Sequence, residues 1–241
     1  VAVVTQLDPV RATLVVREFV ATGQVRVSLA VLPEVRALHV HAGQFVELRP
    51  LRPDGQAEKG FFALLNAPSE GQTLELLVRT DALAGGEAAA LLMALPMGHE
   101  VPSSTPLGAG FSLDRIGDRS VRVVATGTAI APARAAIVTL LERGVRVRSL
   151  DYGIRSPAHV ALEGELARFD ALGIEVSLHY SQPTEHGVVG ALAHHGLSRR
   201  WSLDAPRREV ALAVGHPEMV QEVRAHWRSL GGDPLDVLSN Y

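Results

Sequence analysis

Two rhythms of apolar and polar positions divide the chain. Up to about Leu113 short apolar stretches alternate with Gly, Pro, Asp or charged breaks: "AVVTQLD", "ATLVVREF", "QVRVSLAV", "GQFVELRP", "FFALLN" and "TLELLVR". Such runs read as short strands, and their regular spacing predicts a small antiparallel barrel or sandwich. One helix, "GGEAAALLMALP", is predicted among them, opened by Gly85-Gly86 and stopped by Pro96. The Pro-, Gly- and Ser-rich stretch "VPSSTPLGAGFSLDRIGDRS" marks the boundary, giving units 1–113 and 114–241. After it strands and helices alternate: "VRVVAT" and "APARAAIVTLLERG", "VRVRSLDYG" and "SPAHVALEGELARFDALG", "IEVSLHY" and "VVGALAHHG", "REVALAV" and "HPEMVQEVRAHWRSLGG", then "PLDVLSNY". That alternation predicts βαβ units and a doubly wound parallel sheet covered on both faces.

Composition narrows the function. A net charge of -3 shows no global basic excess and argues against nucleic acid as a partner. No apolar run reaches the length of a membrane span. The first residues lack a basic region followed by a hydrophobic segment, so no secretory signal is expected, and a cytoplasmic location fits. With no cysteine, disulfides and thiolate chemistry are excluded. The ten histidines include His39 and His41, alternating along one strand face, and His194-His195, adjacent on a helix. Neither set has a third ligand at suitable spacing, so no metal is expected and solvated faces are. Arg199, Arg200, Arg207 and Arg208 gather around Trp201 and offer either a docking patch for an acidic electron partner or a solvated loop.

The chemistry concentrates where "VRVVAT" hands over to the next helix. Thr126, Gly127, Thr128 and Ala129 are small, and Pro132 stands in the first helical turn. In open parallel sheets ligands bind outside the carboxyl ends of the strands. Small residues there admit a ligand close to the backbone, and the free N–H groups of the helix start favour a phosphate. A tight turn with no ligand is the plain alternative.

The motifs "GQFVELRP", "PLGAGFSLD", "ATGTAIAPARAAI", "DYGIRSP", "YSQP", "VGHPEM" and the final "SNY" follow one another in an order that resembles the ferredoxin–NADP reductase superfamily, particularly its stand-alone FAD/NAD(P)-binding oxidoreductases. The resemblance covers nearly the whole chain. It implies an N-terminal six-stranded antiparallel barrel for FAD followed by a doubly wound parallel-sheet domain for NADH or NADPH. It places Thr126, Gly127, Thr128, Ala129 and Pro132 at the nicotinamide dinucleotide, with Ala129 where a second glycine is usual. It places Tyr152, Gly153 and Arg155 near the adenosine ribose, and Gly215, His216 and Met219 in the late turn beside the nicotinamide, where Val214 replaces a cysteine. Gln182 follows Ser181 where NADP-specific members carry Arg, which leans toward NADH, although Arg155 is able to meet a 2′-phosphate.

On the flavin side Gly60-Phe61-Phe62-Ala63 stands where most relatives carry Arg-x-Tyr-Ser. The resemblance then gives Phe61 and Phe62 to the flavin ring and the backbone of Ala63 and Leu64 to its polar edge. Gly85, Gly86 and Glu87 match the second phosphate site, without its hydroxyl and with an added carboxylate. Tyr241 matches the terminal aromatic residue that covers the flavin face. The implied activity is hydride transfer from NAD(P)H to FAD and onward to a small-molecule or protein acceptor. A non-catalytic nucleotide-binding or assembly subunit that has lost flavin is the alternative.

Overall fold

A computed structural model describes residues 9–81, 86–182, 201–202 and 204–240. The first unit contains strands β1 (Val10–Ala21), β2 (Gln24–Ala30), β3 (Phe45–Leu48), β4 (Gly60–Ala63), β5 (Thr73–Arg79) and β6 (Glu100–Ser103). They form a six-stranded sheet in the order β4-β3-β6-β1-β2-β5, antiparallel throughout. A bridge between Leu64 and Leu76 brings the end of β4 to β5, so the edge strands meet and the sheet curls on itself. Alternation along the strands explains the interior: Leu14, Val25, Val27, Leu29, Val46, Leu48, Leu74 and Leu76 are buried together with Leu92.

The sixth strand is Glu100–Ser103, drawn from the stretch taken as a boundary, because Val101 and Ser103 point inward and pair along β1. The predicted strand "AVVTQLD", residues 2–8, lies outside the described residues. A short helix α1 (Pro33–Arg36) joins the predicted helix, now α2 (Gly86–Ala94). The chain at His39 and His41 is a turn region rather than a strand, and His39 is buried, not solvated.

The second unit contains β7 (Ser120–Thr126), helix α3 (Ile130–Glu142), β8 (Val147–Ile154), α4 (Glu163–Ala171), β9 (Glu175–Tyr180), the short α5 (Ala205–Arg208), β10 (Glu209–Val214), α6 (Pro217–Ser229) and β11 (Val237–Leu238). Its five strands run parallel in the order β11-β10-β7-β8-β9. Central strands buried on both faces need apolar residues without alternation, and every residue of β10 is buried. The helix expected at "VVGALAHHG", with His194 and His195, lies outside the described residues, as do Arg199 and Arg200.

Trp201 is not presented to a partner. It is buried, with its ring edge-on to Trp227 at 5.0 Å, in the core between α6 and the sheet. Arg207 and Arg208 remain exposed. The core on the other face reaches across the units, joining Ala42, Leu65, Leu77 and Phe111 to Ile130 and its neighbours. Polar ties reinforce that contact: Glu70 pairs with Arg134, the Thr22 N–H donates to Ala158 O at 2.9 Å, and Gln24 Nε2 donates to His159 O at 2.7 Å.

Candidate functional site

The strand order reverses between β7 and β10, so the loops leaving these strands part in opposite directions and open a crevice. Both loops begin with a glycine in a conformation that other residues rarely adopt. Gly127 has φ +56°, and Gly215 has φ +133°. A Cβ on Gly215 would stand 2.0 Å from Thr126 Oγ1, so only glycine lets the two loops touch. Thr126 Oγ1 accepts a hydrogen bond from the His216 N–H at 2.9 Å and locks them together. A single turn, Gly127–Ala129, leads into α3, whose first turn carries no acidic residue. The Ile130 N–H is donated back to Gly127 O, so the backbone that lines the crevice is that of the turn itself, with no carboxylate in the first turn of the following helix beside it.

Two clefts meet at this point. The first, about 550 Å³, lies between the sheets and falls within the usual size for cofactor sites. Its barrel wall is Phe61, Phe62 and Ala63 of β4, with Leu77 and Arg79 of β5 and Ala89 of α2. Its opposite wall is Thr126, Gly127, Thr128, Ala129, Pro132, Val214, Gly215 and His216. The second, about 280 Å³, shares Arg79, Thr126, Gly127 and His216, then runs along the ends of β8 and β9 past Gly153, Arg155, His179 and Ser181, with Met219 beside it. Residues from both halves of the sequence thus form one continuous path.

Other expected residues stand elsewhere. Leu64 is in the barrel core, and its N–H is already donated to Gln44 O at 2.9 Å, because alternation turns residue 64 inward. Tyr152 is fully buried, facing away from the path; burial pushes its hydroxyl up to about 12. Gln182 is exposed outside the cleft, and its N–H donates to Arg155 O at 3.0 Å. Gly86 and Glu87 lie on the exposed start of α2, outside both clefts. Gly85 and Tyr241 fall outside the described residues.

Four contributors were missed. Arg79 lines both clefts, and its only sequence signal is that it ends a barrel strand. Asn240 donates to Gly43 O at 3.3 Å, while its Oδ1 is buried in the first cleft without a partner among the described residues. His179 faces the second cleft, its Nε2 held 2.8 Å from Asp151 Oδ1. Leu77 supplies apolar wall. The sequence could not single out these residues, since each is ordinary in its own element.

The fit of the site to a flavin divides in two. For the ring, β4 is an edge strand and Phe62 offers an apolar face. The orphaned Asn240 Oδ1 is an acceptor for a ring or amide N–H. Those residues fit. The diphosphate end is tighter. A Cβ on Gly60 would stand 2.7 Å from both Ala88 Cβ and Phe62 Cε2, so no side chain can reach out from this position toward α2. At the start of α2 the cation is Arg52, which pairs with Glu87 at 2.6 Å and Glu58 at 2.7 Å. Lys59 lies over the exposed Phe61 ring at 4.7 Å. Burial pushes the neighbouring Glu47 carboxyl up, but hydrogen bonds from Lys59 and Arg49 outweigh this and hold it below the usual range.

No family model matches the sequence, and no curated protein matches it. Solved structures do. A cytochrome P450 reductase from Amycolatopsis matches with a TM-score of 0.79 and 22% identity, over 96% of this chain and 68% of that one. The flavohem-like FAD/NAD-binding domain of a nitric oxide dioxygenase from Vibrio cholerae matches with a TM-score of 0.80 and 18% identity, over 96% and 98%. A ferredoxin NADP+ reductase from Neisseria gonorrhoeae, with bound FAD and NADP, matches with a TM-score of 0.76 and 16% identity, over 94% and 93%. The chain has the two-domain fold of the ferredoxin–NADP reductase-like proteins.

Proposed function

We propose that this protein is a flavin-dependent oxidoreductase that takes a hydride from NADH or NADPH and delivers electrons to a separate acceptor. In this reading residues 1–113 hold FAD and residues 114–241 hold the nicotinamide dinucleotide. One observation carries it: the two clefts join at Gly127, His216 and Arg79. A dinucleotide lying along the strand ends, with its diphosphate at the Gly127 turn, delivers one end toward Phe62 and Ala63.

A bound flavin would supply the redox chemistry, accepting a hydride and releasing electrons onward. The chain's own residues do the positioning. The turn N–H groups and Arg79 bind the diphosphate charge. Val214, Gly215 and Leu77 give the nicotinamide end a small, apolar seat that excludes water and holds the reacting groups at near-attack distance. Asn240 Oδ1 accepts from an N–H of whichever ring lies against it.

Glu87 at the head of α2 and the closed packing at Gly60 favour the second reading, a nucleotide-binding subunit without flavin. One experiment separates the two. Protein titrated with FAD should bind it in equimolar amount, show the flavin absorption bands, and bleach anaerobically on adding NADH or NADPH. A folded protein that binds NADH but leaves FAD free would establish the second reading instead.

A further inference from the structure

Beyond the Gly127 turn, the second cleft ends at Ile154, Arg155 and Ser181. Among the described residues two guanidinium groups line it, Arg79 from the barrel and Arg155 from the loop after β8. Behind both stands Asp81, two residues past the end of β5. Its Oδ2 lies 2.9 Å from Arg155 Nη1, and its Oδ1 lies 3.8 Å from Arg79 Nε. Asp81 does not line this cleft. It borders a void of about 30 Å³ behind it, between Gly23 and the two arginines, too small for a nucleotide. One carboxylate therefore tethers two cations from the rear, one from each sheet.

We propose that Asp81 is a specificity-determining residue: its ion pair with Arg155 sets the cleft against a second phosphate on the adenosine-side ribose. This rests on the dinucleotide reading above. If the nicotinamide end points toward β4 and the diphosphate sits at the Gly127 turn, the remaining ribose must lie outward, toward Arg155 and Ser181. A 2′-hydroxyl there needs no cation, and the Ser181 hydroxyl is able to answer it. A 2′-phosphate needs a guanidinium, and Arg155 already has a carboxylate on it. Turning Arg155 toward the phosphate does not remove the difficulty. The Asp81 charge stays within a few ångströms, where Coulomb repulsion between like charges remains substantial. The Gln182 side chain adds no compensating charge, and its N–H to Arg155 O bond fastens the loop to the end of β9.

The test compares NAD+ and NADP+ binding by calorimetry, since the two share the diphosphate and differ only in the 2′-phosphate. Asp81→Asn keeps the side-chain shape and removes the charge. It should raise NADP+ affinity relative to NAD+ by about tenfold, a change well within what one nearby charge contributes. Adding Arg155→Gln should abolish the gain, because Arg155 is the group released. The hairpin contacts from Thr22 and Gln24 to Ala158 and His159 remain in both variants, and circular dichroism checks that the fold does too. An unchanged ratio in Asp81→Asn, a shift toward NAD+, or a gain that survives the second substitution overturns the proposal. Wild-type protein that is folded yet binds neither dinucleotide removes the dinucleotide reading itself, and this proposal with it.

Discussion

Gly127 lies against the guanidinium of Arg79: a Cβ at residue 127 would stand 2.7 Å from Arg79 Nη2. The contact joins the turn after β7 to the last residue of β5, and both clefts pass over it. Gly127→Val would place a branched side chain on a backbone of φ +56° and drive Arg79 out of its seat. Dinucleotide affinity should fall at least about tenfold, roughly 1.4 kcal/mol. Flavin, held against β4, should bind as before. Calorimetry with NAD+ and FAD on the folded variant checks both, and unchanged NAD+ affinity would leave the turn a purely structural one.

The close contact of Gly60 with Ala88 makes a second, independent prediction. Neither atom facing the new methyl is the far end of a flexible chain: one is Ala88 Cβ, and the other belongs to the Phe62 ring. Gly60→Ala should destabilise the protein by about 1–3 kcal/mol through overpacking. Adding Ala88→Gly should recover part of that loss, because it vacates one of the two clashing atoms. Urea denaturation of the two variants measures the coupling. Equal stability of wild type and Gly60→Ala would mean that β4 and α2 are less tightly packed than described.

The contrast between the two rhythms makes the architecture legible in the sequence itself. "VRVVAT" and "REVALAV" are apolar without alternation because β7 and β10 are central in a sheet covered on both faces. Glu100–Ser103 was hidden because it is short and its proline and serine look like linker. The turn residues Thr126 to Ala129 and Gly215 were readable, since small residues at a strand end have few other uses. Arg79, His179 and Asn240 were not. Each owes its place to long-range pairing: β5 on the barrel edge, β9 at the sheet edge, and the chain after β11 passing Gly43. Tyr152 misled for the converse reason, since alternation along β8 turns it away from Gly153 and Arg155.

Glu87 offers a test of the flavin side. Its carboxylate pairs with Arg52 at the start of α2, where the proposed flavin reading puts the diphosphate. Glu87→Gln should leave Arg52 with Glu58 as its remaining carboxylate partner, remove one negative charge from the site and raise FAD affinity several-fold, while riboflavin, which has no phosphate, should bind unchanged. Fluorescence titration with the two ligands reads the difference. A parallel gain for both, or for neither, would show that Arg52 and Glu87 do not face the FAD diphosphate.

The last prediction concerns acid. His39 is 2% exposed, and neither ring nitrogen has a hydrogen-bond partner among the described residues. Burial, with Arg36 and His41 adding to it, pushes the imidazole down from 6.5 to about 4. The unfolded chain therefore takes up this proton at a higher pH than the folded one. Stability is complete above 6.5 and declines as the pH falls through that value toward 4. Between pH 7 and pH 5 the loss from this one group should be about 2 kcal/mol. His39→Leu keeps an apolar side chain in the same space and has no proton to gain, so its stability should change less over that interval by the same amount. Glu47 and Glu70, both held below the usual carboxyl range, lose their stabilisation only at lower pH and do not blur the comparison. Urea denaturation of the two proteins at pH 7 and pH 5 provides the measurement. Parallel losses in both would place the acid sensitivity on other groups and show that His39 is free to ionise where it sits.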